Sequence, residues 1–150
     1  MENIIPTKVA KTLDGLFSER VRLSAKRIAY RSYNQTTENW HNYTWEQIEK
    51  EVARWQIALT KEGLVAGDRV AIMLKNCPEW VIFDQAALGL GLVVVPLYTE
   101  DRAENTAYIL ADSGAKLLLL EDQTKWQPLK NLGDSKLNLY RVITVNKFEN

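Results

Sequence analysis

Residues 67–122, GDRVAIMLKNCPEWVIFDQAALGLGLVVVPLYTEDRAENTAYILADSGAKLLLLED, decide the fold. Gly67-Asp68 turns the chain into an apolar run, 69–74, of strand length. Asn76 or Cys77 then caps a helix with Pro78 in its first turn, where a missing N–H costs nothing. That helix, about 78–89, carries Trp80, Val81, Ile82, Phe83, Ala86, Ala87 and Leu88 and so is apolar nearly all round, as a helix buried on most sides must be. The β-branched run 92–97 reads as a strand covered on both faces, ended by Pro96. An amphipathic helix over 101–112 points Ala103, Ala107, Leu110 and Ala111 inward and closes at Gly114. A third strand follows at 116–120, then a helix at about 124–132 and a fourth strand at 139–145. Strand starts at 69, 92, 116 and 139 are 23, 24 and 23 residues apart. That spacing fits βα units with short loops, hence parallel strands joined by right-handed crossovers. The expected class is α/β: a mostly parallel, doubly wound sheet with flanking helices.

Upstream, residues 1–11 read as a flexible arm, and 12–66 as a helix–hairpin–helix lead-in to the winding of 67–145. Thr12 caps a helix to about Ser24 with Leu13, Leu16, Phe17 and Val21 on one face, although Gly15 weakens it. Two short strands, 28–33 and 39–43, flank a polar loop suited to a hairpin. Their aromatic residues, Tyr30, Tyr33, Trp40 and Tyr43, fit cross-strand packing, with an aromatic ligand platform as the alternative. Thr44-x-x-Gln47 is a capping box, with Tyr43 and Ile48 placed as a hydrophobic staple. Trp45, Ile48, Val52, Trp55 and Leu59 then form one buried stripe, and Gly63 ends the helix. A membrane or cofactor surface is the alternative use of the tryptophans.

The composition excludes several classes. With 46% hydrophobic and 25% charged residues, the 150-residue chain is ordinary for a soluble globular protein and long enough for one domain with a core. Nineteen basic and nineteen acidic residues give no bulk attraction for nucleic acid. One cysteine, Cys77, excludes a disulfide within the chain and suits a reducing, cytoplasmic setting. The longest uncharged run, 85–99, has fifteen residues and a proline, too short to span a bilayer. No signal peptide is evident at the N-terminus.

A parallel sheet invites a search for phosphate loops. Gly89-x-Gly91 fails as a dinucleotide fingerprint, because it follows a helix and precedes a strand. His41 has no placed partner. Asp84, on the buried helix, is either catalytic or a rim-facing charge, and Cys77, at a helix start, is either an activated thiol or an ordinary one. The loops at the strands' carboxyl ends hold Lys75, Glu100, Asp101 and Asp122, but no constellation for a named reaction.

Five segments in register carry a resemblance: Tyr43-Thr44-Trp45, Gly67-Asp68-Arg69-Val70-Ala71-Ile72, Asn76-Cys77-Pro78-Glu79-Trp80, Val95-Pro96-Leu97-Tyr98 and Asp112-Ser113-Gly114-Ala115-Lys116. Over about residues 12–145 the chain resembles the adenylate-forming (AMP-binding) acyl-CoA synthetases, most of all the N-terminal portion of long-chain fatty acid–CoA ligases. The resemblance implies a parent enzyme that adenylates a fatty acid with ATP and Mg²⁺ and passes the acyl group to CoA. In that family the phosphate loop, the ribose-binding acid and the lysine of a mobile domain lie C-terminal to the matched part. No Ser/Thr-Gly-Thr-Thr-Gly run occurs here, so no catalytic, cofactor-binding or metal residue is carried over.

The chain is therefore expected to be the opening part of a larger N-terminal domain, inactive alone and binding no cofactor itself. Met1 and the end at Phe148-Glu149-Asn150 fit an engineered boundary or a truncated product. A fatty acyl-AMP ligase or carrier-loading adenylation enzyme is the alternative parent, and a freestanding α/β binding or oligomerisation module the alternative of another class. No nucleic-acid partner and no transmembrane segment are expected; peripheral membrane association stays open, and exposed apolar patches predict self-association.

Overall fold

A computed structural model describes residues 4–133 and 137–146; Phe148, Glu149 and Asn150 lie outside the described residues, as do 1–3 of the arm. The lead-in comprises α1 (Thr7–Ala10), α2 (Leu13–Ser24), the antiparallel hairpin β1 (Ile28–Asn34) and β2 (Asn39–Thr44), and α3 (Trp45–Lys61). The winding follows as β3 (Arg69–Met73), α4 (Pro78–Gly89), β4 (Val93–Pro96), α5 (Ala103–Ser113), β5 (Leu117–Leu120), α6 (Gln123–Lys130) and β6 (Arg141–Thr144). All pairings among these four strands are parallel, in the order β4-β3-β5-β6.

The strand order and the side-chain alternation together place the helices. Val70, Ile72, Leu117 and Leu119 face a core shared with α2, α3 and α4, where Trp55 meets Phe83 edge-on with centroids 5.2 Å apart. Ala71, Met73, Leu118 and Leu120 face a second core with α5 and α6. The crossover through α4 runs from β3 to one side, and those through α5 and α6 run to the other side across the opposite face. Right-handed connection demands that exchange of faces, and it makes the sheet doubly wound as expected.

Local signals explain the element ends. The capping box is complete: Gln47 N–H donates to the Thr44 hydroxyl at 3.3 Å, and Thr44 N–H donates to Gln47 Oε1 at 2.8 Å. Gly114 closes α5 at φ 63°, and a side chain there would also meet Arg69 Nη2 at 2.7 Å. Cys77 is the residue before α4, yet its side chain makes no cap bond.

Several expectations need correction. The arm holds a helical turn, α1, whose Ala10 is buried against the rest. Gly15 is what allows it, because a Cβ there would run into the Ala10 carbonyl oxygen. On α2 only Phe17, Val21 and Ser24 are buried, while Leu13 is 67% and Leu16 40% exposed. Their helix face is broader than the surface it meets. Ala111 is likewise exposed on α5, where Thr106 takes a buried place. The 92–97 run is not a strand covered on both faces: β4 is a sheet edge, and Val93 is 49% exposed. Val93 N–H donates to Asp68 O and Leu97 N–H to Ile72 O, so by alternation the nitrogen of Pro96 faces the open edge, where no donor is missed.

Candidate functional site

In an open parallel sheet, ligands bind beyond the carboxyl ends of the strands, where the winding reverses. By that rule the crevice falls between β3 and β5, where the winding reverses and the strands are followed by the loops holding Lys75 and Asp122. Three of the expected residues, Glu100, Asp101 and Asp122, are engaged by neighbouring side chains and amides. Asp122 caps α6: its Oδ1 accepts from Thr124 N–H at 2.8 Å, Thr124 Oγ1 at 2.6 Å and Lys125 N–H at 3.3 Å, and the hydroxyl bond leads in holding its carboxyl below the ordinary range. Lys125 Nζ reaches back to Thr99 O at 3.0 Å and to Glu100 Oε1 at 3.3 Å, which lowers the Glu100 pKa. Asp101 Oδ1 accepts from Arg102 N–H and from Asn105 Nδ2, both at 2.9 Å. These carboxylates tie loops to helices. Among the described residues no three acidic, histidine or cysteine side chains converge on a cation site.

A second concavity lies between the hairpin and the start of α4. A hollow of about 460 Å³ is lined by Asn34, Trp40, His41, Tyr43, Cys77 and Glu79, among others. The expected cross-strand pairing is present: Tyr33 sits opposite Trp40 with rings 5.5 Å apart, and His41 packs edge-on to Tyr43 at 4.5 Å. Arg31 lies 5.4 Å over the Trp40 ring and bonds Asn42. Burial pushes the Cys77 thiol up, and Glu79 adds to the shift, so the activated-thiol alternative does not fit this helix start. Asp84 is half-buried on α4; burial raises its carboxyl pKa, and Gln85 Nε2 donates to it at 3.2 Å.

What sequence reading missed lies at the amino ends of the strands. Asp68, 7% exposed, accepts from Val65 N–H at 3.0 Å and pairs with Lys116 Nζ at 2.6 Å, which holds its carboxyl below the usual range. Arg69 Nε donates to Ser113 O at 2.8 Å and Nη2 to Gly114 O at 3.2 Å, satisfying the last carbonyls of α5. The segments Gly67-Asp68-Arg69 and Asp112-Ser113-Gly114-Ala115-Lys116 are thus two halves of one clamp. No local periodicity signals a pairing between residues so far apart in sequence.

The comparisons fit this geometry. The family described as "AMP-binding enzyme" matches residues 17–149. Long-chain-fatty-acid–CoA ligase FadD15 of Mycobacterium bovis is 31% identical over 106 residues, 71% of this chain and 18% of that protein. Nonribosomal peptide synthetase sidE of Aspergillus fumigatus is 32% identical over 113 residues, 75% of this chain and 5% of that protein. Among solved structures, the N-terminal domain of FACL13 from Mycobacterium tuberculosis aligns with a TM-score of 0.76 and 25% identity, covering 89% of this chain and 33% of that one. A Mycobacterium tuberculosis fatty acyl CoA synthetase aligns with a TM-score of 0.77 and 26% identity, over 90% of this chain and 26% of that one. The chain spans less than a fifth of the length of these curated relatives.

Proposed function

Because the chain belongs to the family of AMP-binding enzymes, we propose that it supplies the N-terminal scaffold of an ATP-dependent fatty acid–CoA ligase. The supporting observation is the alignment with the FACL13 N-terminal domain over 89% of the chain. In the reaction a fatty carboxylate oxygen attacks the α-phosphorus of ATP, the bond to pyrophosphate breaks, and an acyl-adenylate forms. The CoA sulfur then attacks the acyl carbon, and AMP leaves. Stabilising the charge on the transferring phosphoryl group needs aimed cations and amides. The rim residues here do not fit that task, because Asp122 and Glu100 already serve helix and loop. ATP, Mg²⁺ and CoA would be held by residues outside this chain, and no step runs through its own side chains. Its part is to hold the crevice between β3 and β5 in shape.

The 150-residue chain is therefore expected to show no carboxylate-dependent exchange of pyrophosphate into ATP, and the longer protein that carries it to show such exchange with fatty acids. Exchange by the short chain would overturn its role as a scaffold alone. The likeness to the peptide synthetase sidE keeps a second reading in view, a carrier-loading adenylation enzyme. CoA-dependent release of AMP from the longer protein supports the ligase, and transfer only to a carrier protein supports the second reading.

A further inference from the structure

We draw no further inference here: the strongest candidate, the exposed apolar strip of Leu13, Leu16 and Leu23 along α2, carries nothing, because nothing in the structure shows what covers it.

Discussion

At Asp68 one carboxylate joins two strands and a turn, through Lys116 and Val65 N–H. Asp68→Asn keeps the shape and loses the charge. It is expected to lower the thermal midpoint by a few degrees at pH 7, measured by circular dichroism. The sign of the pH dependence follows from the lowered pKa. The carboxylate's contribution is complete above the unfolded value and drains away as pH falls through the folded one. The difference between wild type and Asp68→Asn should therefore shrink on acidification; a gap that widened would contradict the pairing. Glu46 behaves alike: hydrogen bonds from Lys26 and Lys50 hold its carboxyl down at about 2, so its contribution is lost from about pH 4.5 toward that value. Cys77 points the other way. Its thiol is pushed up by burial, so alkylation at pH 8 should run slower than that of free cysteine, and a faster rate would restore an activated thiol.

Among elements, α2 and β4 show where pattern and placement part. By helix propensity Gly15→Ala should stabilise α2 by about 1 kcal/mol. Here the same change is expected to destabilise the protein, because the new methyl runs into the Ala10 carbonyl and must push α1 away. A rise in the thermal midpoint would show that α1 does not dock there. In the sheet, Leu118 is fully buried on central β5, and Leu118→Ala is expected to cost about 2–5 kcal/mol in denaturant unfolding. Val93, half exposed on edge β4, should cost within about 0.5 kcal/mol when changed to Ala. Equal losses would contradict the edge position. Thr44→Ala, which removes the capping box, should cost about 1 kcal/mol.

For the whole molecule, exposed Leu13, Val93, Tyr98 and Tyr108 leave apolar surface on several sides. Light scattering of the 150-residue chain is expected to show concentration-dependent association, and a monodisperse monomer throughout would count against it. Much of the architecture was legible in local chemistry. Pro78 in a first turn, the pair Thr44 and Gln47, Gly114 after an amphipathic run and strand starts at a steady interval all state backbone geometry that depends on near neighbours. So the sequence by itself determined the order of the elements from α2 onward, the parallel winding and the family. Only the tertiary structure decided which strand is an edge, which leucines of α2 find cover, and that Asp68 and Arg69 clamp the segment 112–116. The physical reason is that hydrophobic periodicity and capping act within a turn or two of the chain. Burial, ion pairing and hydrogen-bond satisfaction depend on which surfaces the winding brings together, and a residue such as Leu13 carries the same pattern whether a partner surface meets it or not.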